Sequence, residues 1–360
     1  MQVTFELLSR YSDVLATQWL FIVSIVGAVG TSLWLHQFPS LSREDFQIIF
    51  ILAILFIAVK GLEQSGLLAW LSQKIERGTF LTVRLICVTF FLSMLVTNDV
   101  ALLVMVPLTL ELNTNRKDVL VILEALAANA GSALTPFGNP QNLFIYWYYH
   151  LNLQAFITAI APFSLLFLVL LTLTAFAVRL RKDKMPHSPC LQPHHTAWIY
   201  LMLLLLVVLT VLRVLPVSIG CVVVAYALIF DRKSLNIDYS LLFTLISFLI
   251  ITENMREILT VRLEHSTHIF LFSALASQVI SNVPAALLFA KFTPHWHALL
   301  WGTNVGGFGS LMGSLANVIA YRLYLAHSGT KRHLAFTLKF FLFGYVAFAI
   351  GICMYFVLPG

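Results

Sequence analysis

Long apolar runs, separated by short breaks rich in polar residues, glycine and proline, dominate the chain from Trp19 onward. A helix needs about 20 mostly apolar residues to cross a bilayer. The runs therefore predict nine membrane-spanning helices. These lie near residues 18–36, 44–61, 119–150, 154–178, 197–214, 216–231, 240–254, 297–326 and 335–357. We expect an all-α, polytopic membrane protein surrounded by a lipid bilayer.

Two further apolar segments, 80–112 and 267–292, are each interrupted in the middle by a polar tip. The tips are Thr97-Asn98-Asp99 and Ser281-Asn282-Val283-Pro284. Each arm has only about 12 to 17 residues, which is short for a full crossing at about 1.5 Å per residue. The pattern predicts two re-entrant helical hairpins, each of which enters and leaves the membrane on one side.

The composition agrees with a membrane location. Hydrophobic residues make up 59% of the chain and charged residues only 11%, whereas soluble domains carry about 25% charged residues. The net charge of +6 is assigned to basic cytoplasmic loops, so no nucleic-acid partner is expected. The cysteines are widely scattered without a CxxC spacing, which argues against a thiolate metal site.

Basic residues indicate the orientation of the chain. They concentrate in the loop 179–196, which the positive-inside rule places in the cytoplasm together with the N-terminus. The first hairpin then enters from the cytoplasm and the second from the periplasm. We expect a multi-pass protein of the bacterial inner membrane, with a first inverted repeat at 1–178, a basic loop and connector helix at 179–214, and a second inverted repeat at 215–360.

Matching residues support this repeat. With a spacing of 184 positions, Ser93, Thr97, Asn98, Ala101 and Leu103 fall on Ser277, Ser281, Asn282, Ala285 and Leu287. With a spacing of 175, Asn129, Gly131, Gly138, Asn142 and Tyr146 fall on Asn304, Gly306, Gly313, Asn317 and Tyr321. Two blocks that match in the same order indicate two related halves.

The spans 119–150 and 297–326 are expected to be broken helices. The first holds two prolines and two glycines between Gly131 and Asn142, and the second is glycine-rich at the matching place. Backbone freed from a helix in hydrocarbon is costly unless it lines a cavity or is buried in protein. Helix N-termini at such breaks present N–H groups to an anion, while unwound carbonyl and side-chain oxygens can ligate Na+. The two breaks therefore indicate a joint site for an anion and a coupling cation.

The candidate site residues are polar and glycine positions of the tips and breaks. They are Thr97, Asn98, Asp99, Thr135, Gly138, Asn139, Asn142, Ser281, Asn282, Asn304, Gly313, Ser314 and Asn317. The Na+ is placed near Asn98, Asp99, Gly138, Asn282 and Gly313, and no cofactor other than a coupling Na+ or H+ is expected. Asp99 is the most informative acid, because an ionisable group inside a membrane is costly unless it is functional. Helix capping by the asparagines and close helix packing by the small residues stay open as structural alternatives.

These patterns favour a secondary active transporter that moves a small inorganic or organic anion with Na+ or H+. A sodium/proton antiporter that uses Asp99 is the alternative within transport, and a channel fits inverted repeats with broken helices less well. An intramembrane enzyme is disfavoured, because the sequence has no HExxH or GxSxG motif and no nucleophile at a suitable spacing from a base.

Four runs of the sequence resemble the ion transporter superfamily: TNDVALLVMVPLT, NAGSALTPFGNPQN, SQVISNVPAA and NVGGFGSLMGSLAN. This superfamily includes arsenite permeases, citrate-metal symporters, divalent-anion:sodium symporters and some sodium/proton antiporters. The resemblance covers nearly the whole chain and implies an elevator-type permease, commonly a homodimer, in which hairpins and broken helices form a mobile transport domain and the other helices a scaffold. Asp99 and Val283 stand where the divalent-anion branch has threonine, which argues against dicarboxylates. The GSLA run leans toward the arsenite-permease branch, so an arsenite-type efflux permease is a further alternative.

The orientation can be tested by labelling single cysteines in a cysteine-free background. We expect the loop 179–196 to be cytoplasmic and the loop 36–44 to be periplasmic. An impermeant thiol reagent added to intact cells should therefore label only cysteines in 36–44. Labelling of 179–196 from outside would overturn this topology and the assignment of the hairpins to opposite sides.

Overall fold

A computed structural model describes residues 2–36, 41–75, 80–112, 114, 116–178, 194–258, 265–327 and 333–358. All regular elements in these ranges are helices, which confirms the predicted all-α class. The first half of the chain forms α1 (Gln2–Leu35), α2 (Arg43–Gln64), α3 (Leu67–Ile75), α4 (Leu81–Val96), α5 (Asn98–Glu111), α6 (Lys117–Ser132), α7 (Pro140–Tyr148) and α8 (Leu153–Ala177). The second half forms α9 (Thr196–Val211), α10 (Gly220–Phe230), α11 (Tyr239–Ile258), α12 (Ser266–Ile280), α13 (Asn282–Ala290), α14 (Trp296–Gly306), α15 (Leu315–Ala326) and α16 (His333–Val357). Short 3-10 turns cover Val217–Ile219, Arg232–Leu235 and Leu311–Gly313.

Local sequence signals set where several helices begin. Ser42 and Asp45 form a capping box at the start of α2. Asn139 caps α7 with its side chain, and Pro140 occupies the first helical position. Asn152 caps α8 in the same way as Asn139 caps α7. These are the residue types preferred at helix starts, because they satisfy or remove N–H groups that have no partner within the helix.

Four helical stretches in the described ranges are long and apolar enough to cross a membrane: Arg43–Gln64, Leu153–Ala177, Arg232–Arg256 and His333–Val357. Further apolar helices there have 10–17 residues. The predicted count of nine spans includes several of these shorter helices and both broken ones, and it stays a prediction. Helix α1 begins at Gln2 rather than near residue 18, because neither glycine nor proline interrupts the chain before Gly27.

The predicted helix interruptions are confirmed at all four places. Helices α4 and α5 meet at Thr97, and α12 and α13 meet at Ser281. Residues 133–139 separate α6 from α7, and residues 307–314 separate α14 from α15. Each half of the chain therefore contains one helical hairpin followed by one broken helix.

The helices pack as two groups. The hairpin bundle comprises α4–α8 and α12–α16, in which α6 contacts α4, α5, α8, α15 and α16, while α14 contacts α12 and α13. The flanking bundle comprises α1, α2 and α9–α11, in which α1 packs on α11 and α2 packs on α9 and α10. Helices α8 and α16 thus pack with the hairpins and broken helices, although the resemblance implies that they belong to the scaffold. Unlike the flanking helices, α8 and α16 each pack against the helices α6 and α14, which belong to the two broken helices.

A cluster of buried charges joins the two bundles. Lys291, just after α13, places its Nζ 2.6 Å from a carboxylate oxygen of Glu253 on α11 and 3.5 Å from one of Asp45 on α2. The side chains of Lys291 and Asp45 are 6% and 3% exposed. Because a buried charge without a partner is costly, these pairs tie the second hairpin to the flanking bundle in this conformation.

The predicted connector between the two repeats, 179–214, consists of the loop 179–196, of which residues 179–193 lie outside the described residues, and a helix, which the structure has as α9. The inverted orientation of the halves, and the side of the membrane from which each hairpin enters, stay predictions.

Two glycines at matching positions allow each broken helix to approach its hairpin closely. A Cβ atom added to Gly131 on α6 would overlap the carbonyl oxygen of Phe90 on α4. A Cβ atom added to Gly306 on α14 would lie 2.5 Å from the Cβ of Ser277 on α12. Real Cβ atoms do not come so near, so only glycine fits between these helices.

We expect Gly131→Ala and Gly306→Ala each to destabilise the protein, because overpacking a tight helix contact costs about 1–3 kcal/mol. The measurement is the thermal unfolding midpoint of the purified protein in detergent. Gly30→Ala in α1 is the matched control, because its added Cβ meets nothing within 4 Å. Equal midpoints for all three variants would contradict the close packing.

Candidate functional site

A cavity of about 180 Å³ lies between the two bundles, and both hairpin tips reach it. Its polar lining residues are Asn98, Asp99, Gln141, Asp238, Ser240, Thr244, Ser281, Asn282, Ser314 and Arg322. The hairpin bundle supplies the tips and the break residues, and the flanking bundle supplies residues of α1 and of the segment that starts α11. The structure therefore brings residues 184 positions apart in sequence to one cavity.

Four helices begin at this cavity. Asn98 starts α5, Pro140 starts α7, Asn282 starts α13 and Leu315 starts α15, and all four residues line the cavity. The N-terminal turns of a helix carry N–H groups without partners in the helix and a partial positive charge. Four such ends around one cavity make a region that favours a negative charge.

Both hairpin tips hold a non-glycine residue in the left-handed region of backbone space. Thr97 has a φ of 110° and Ser281 a φ of 73°. Such conformations cost about 1–3 kcal/mol each and persist only where surrounding contacts hold them. The backbone N–H of Asn98 donates to the carbonyl oxygen of Gly138 at 3.1 Å, which fastens the first tip to the break of the same half. Neither Thr97 nor Ser281 caps the helix that follows with its side chain.

The tip asparagines are buried, and most of their side-chain hydrogen bonds are long. Asn98 and Asn282 are each 3% exposed. The Asn98 Nδ2 donates to Asn129 Oδ1 at 3.3 Å and to Ser314 Oγ at 3.5 Å. The Asn282 Oδ1 accepts a bond of 3.4 Å from the Ser281 hydroxyl. The Asn98 Oδ1 also accepts a bond of 3.0 Å from the N–H of Asp99. The bonds of Asn98 Nδ2 and of Asn282 Oδ1 are near the long limit for hydrogen bonds, so these two groups can exchange them for a ligand in the cavity.

The two helix breaks are joined by a crossed pair of amide hydrogen bonds. Asn129 of the first half donates from Nδ2 to Asn317 Oδ1 at 2.8 Å. Asn304 of the second half donates from Nδ2 to Asn142 Oδ1, also at 2.8 Å. Because Asn129 matches Asn304 and Asn142 matches Asn317 in the repeat, the two bonds are equivalent. Each half thus donates one amide hydrogen bond to an asparagine of the other half.

The accepting asparagines also hold the unwound backbone of their own half. Asn142 Nδ2 donates to the carbonyl oxygen of Ala133 at 2.9 Å. Asn317 Nδ2 donates to the carbonyl oxygens of Gly307 at 2.9 Å and Ser310 at 3.0 Å. The side chains therefore satisfy carbonyl groups that the break removes from helical bonding.

A further matched pair of contacts ties each break to its hairpin. The Thr135 hydroxyl donates to the carbonyl oxygen of Met94 at 2.8 Å. The Ser310 hydroxyl donates to the carbonyl oxygen of Gln278, also at 2.8 Å. Thr135 and Ser310 are 175 positions apart, and Met94 and Gln278 are 184 apart, so the contacts follow both spacings of the repeat. Hairpin and break are fastened alike in the two halves.

The structure divides the candidate residues into two sets. The cavity is lined by Asn98, Asp99, Ser281, Asn282 and Ser314. The breaks are held by hydrogen bonds from Thr135, Asn139, Asn142, Asn304 and Asn317. Thr97 lines a neighbouring cavity, the Gly138 carbonyl holds the first tip, and a Cβ on Gly313 would lie 2.6 Å from the Gly306 carbonyl oxygen. Among these candidate residues, Ser314 both lines the cavity and caps a helix, since it accepts a bond from the N–H of Ala316.

Asp99 lies between two cavities. It lines the first and also a second cavity of about 180 Å³ that reaches Lys60 and Glu63 of α2, which form an ion pair of 3.0 Å. Its Oδ1 has no accessible surface and no hydrogen-bond partner. Asp238 of the flanking bundle lines both cavities as well. A buried carboxylate oxygen without a partner favours binding of a proton or a cation.

Oxygen ligands other than carboxylates have to complete any cation site here. Within the described ranges, no group of three His, Cys, Asp or Glu side chains is placed to hold a metal ion. Hard cations such as Na+ accept carbonyl, amide and hydroxyl oxygens. The tips provide these at Asn98, Ser281 and Asn282 beside Asp99.

Several residues of the site are missing from the sequence-based set, among them Asn129, Asp238 and Arg322. Asn129 joins the two breaks, and its match to Asn304 in the repeat is the signal that identifies it. Asp238 precedes α11 and accepts bonds from the Ser240 hydroxyl and the Leu241 N–H, as a capping residue does. Arg322 on α15 lines the cavity from an exposed position. Asp238 and Arg322 have no matching residue in the other half of the repeat. Only the three-dimensional structure shows that they lie at the cavity.

Two matched hairpin tips and two broken helices around one cavity in a polytopic helical protein are the architecture of a membrane transporter. The chain belongs to the family described as citrate transporter (CitMHS), whose model matches residues 14–301.

Similar proteins agree with this class. The inner membrane protein YbiR of Escherichia coli (strain K12) is 34% identical, over 84% of this chain and 87% of its own. The uncharacterized transporter MJ0456 of Methanocaldococcus jannaschii is 33% identical, over 78% of this chain and 81% of its own. The silicon efflux transporter LSI3 of Oryza sativa subsp. japonica is 41% identical, but over only 27% of this chain and 20% of its own. The family and these relatives place the chain among transporters, embedded in a membrane.

Proposed function

We propose that the protein is a secondary active transporter that carries a small anion across the bacterial inner membrane, coupled to Na+ or H+. The observation that carries this proposal is the meeting of four helix N-termini and both hairpin tips at one cavity. Helix N-termini attract an anion through their partial positive charge and through those N–H groups that no side chain caps.

The charge of Asp99 explains why transport of an anion would be coupled to a cation. Its carboxylate would repel an anion bound at the same helix ends, and at about 4 Å two unit charges interact strongly in a medium of low dielectric constant. A proton or a Na+ on Asp99 removes that repulsion. Binding of the anion and of the cation then favour each other, and the linkage is reciprocal.

An elevator-type movement fits the arrangement of the helices. The cavity lies at the interface between the hairpin bundle and the flanking bundle, rather than inside either one. Movement of the hairpin bundle, with both tips and both breaks, along the flanking bundle would carry the site across the membrane. The ion pairs of Lys291 with Glu253 and Asp45 would then have to open.

A sodium/proton antiporter is the second candidate, and Asp99 favours it. Asp99 and Asp238 line the same two cavities, and neighbouring carboxylates favour binding of a cation or a proton, which would compete for this pair. The names of the family and of one relative direct the choice of substrates for a first test, because they refer to citrate and silicon. Arsenite is added because of the GSLA run at Ser314.

The transport test uses the purified chain in proteoliposomes with imposed Na+ and pH gradients and radiolabelled citrate, phosphate, sulfate, arsenite and silicate. We expect uptake or efflux of one of them to depend on a cation gradient. Asn98→Ala and Asn282→Ala should each reduce the rate at least tenfold while the protein still folds and inserts, because each removes an amide from the cavity. Asn152→Ala, at an exposed cap of α8 outside the cavity, is the matched control. Wild-type rates for both tip variants would rule out this site.

The substitution Asp99→Asn tests the coupling role. A cap role for Asp99 is excluded, because Thr97 holds the cap position of α5 and Asp99 lies in its first turn. Asn has nearly the same size as Asp, so the variant should insert normally. If the carboxylate carries the coupling ion, the variant should lose the dependence of transport on Na+ or on pH, because it can neither bind the cation strongly nor titrate. The measurement is the transport rate at several Na+ concentrations and pH values. An unchanged profile would exclude Asp99 from coupling and move the coupling site to the neutral oxygens near Asn98, Asn139 and Ser314.

A further inference from the structure

A second carboxyl group is buried within the hairpin bundle, away from the cavities described above. Glu124 lies on α6 and is 0% exposed. The Thr109 hydroxyl of α5, which is also 0% exposed, donates to its Oε1 at 2.5 Å. The other oxygen, Oε2, is buried and has no hydrogen-bond partner. The environment therefore stabilises one oxygen of the carboxyl group and leaves the other unsatisfied.

The charges closest to Glu124 along α6 are committed elsewhere. Lys117 donates from Nζ to the carbonyl oxygen of Leu110. Asp118 is paired with Lys339 of α16. Neither cation compensates a charge on Glu124.

The remaining elements packed against α6 provide no countercharge either. Helix α8 has no charged residue, and α4 has Arg84 near its start. Helix α5 carries Asp99 at its first turn and Glu111 at its exposed end, and α15 carries Arg322 at the cavity. Among the described residues, none of these side chains forms an ion pair with Glu124. An ionised Glu124 would be a buried charge with a single hydrogen bond, which is strongly unfavourable.

A purely structural hydrogen bond between α5 and α6 would not need an acid. Glutamine would accept the same bond from Thr109, and its neutral amide would avoid the cost of a buried charge. What a glutamate adds is the ability to bind and release a proton. Glu124 lies seven residues after the start of α6, about 10 Å along its axis, and Thr109 lies two residues before the end of α5. The carboxyl group is therefore about two turns from the start of α6 and fully buried in this conformation.

We propose that Glu124 binds the coupling proton of this transporter, and that Thr109 is a positioning residue that holds its carboxyl group. This rests on the proposed function of ion-coupled transport. When the bundle opens to water, the O–H bond at Oε2 breaks, the proton passes to a water molecule and a carboxylate remains. Uptake of a proton from water on the other side restores the neutral acid, so one proton moves with each cycle. Asp99 then serves the ion or substrate at the cavity, and the two acids have separate tasks.

Infrared spectroscopy of the purified full-length protein tests the bound proton directly, without any substrate. The C=O stretch of a protonated carboxyl group shifts when H2O is exchanged for D2O. We expect such a band at neutral pH in the wild-type protein, its loss in Glu124→Gln, and a shift of its frequency in Thr109→Val, where the hydrogen bond is removed. Glu111→Gln, an exposed acid of the same hairpin, is the matched control and should keep the band. Asp99→Asn should also keep it, which distinguishes the two buried acids.

A transport measurement then tests whether the proton is coupled. With the anion identified in the proteoliposome screen, Glu124→Gln should still exchange that anion across the membrane but lose proton movement, which a pH dye in the vesicle lumen reports. Wild-type proton movement in Glu124→Gln, or an unchanged infrared band in this variant, would overturn the proposal while the transport function stands. If the wild-type protein moves none of the anions, the proposed function fails, and the infrared band alone decides whether Glu124 holds a proton.

Discussion

The crossed amide bonds between Asn129 and Asn317 and between Asn304 and Asn142 are the interaction on which the site depends. In a bilayer, backbone groups released from a helix must find partners within the protein. The four asparagines do this in both halves at once, since they bond to each other and to the carbonyl oxygens of the breaks. Without them the carbonyl groups of the breaks would lose these partners, and the starts of α7 and α15 would lose the contacts that hold them at the cavity.

The same bonds determine which groups remain for a ligand. Carbonyl oxygens of the breaks are occupied by asparagine side chains, whereas the starts of α5 and α13 carry no side-chain cap. Free hydrogen-bonding capacity is therefore concentrated at the tips, where the backbone at Thr97 and Ser281 is strained. Rigid breaks and uncapped tips complement each other, because a site needs a firm frame and unsatisfied donors at its centre.

Much of this architecture is visible in the sequence, because glycine, proline and polar tips interrupt apolar runs for reasons that act locally. The interruptions at Thr97 and Ser281 and in both broken helices follow from this alone. Local patterns do not tell which asparagine holds a break and which lines the cavity. Asn142 and Asn282 have the same chemistry and differ only in their neighbours. The packing of α8 and α16 and the position of Asp238 depend on contacts between distant segments, which local patterns do not encode.

The exchange of equivalent contacts between the halves is the arrangement that two identical chains adopt around a two-fold axis. Asn129 reaches across to Asn317 as Asn304 reaches across to Asn142, so each half carries the partner group that the other lacks. A half produced alone would leave its own break without the crossing amide and would have to pair with a copy of itself. The single chain is in this sense a fused dimer. Among homologous sequences, we therefore expect the residues at positions 129 and 317 to change together, and likewise those at positions 142 and 304.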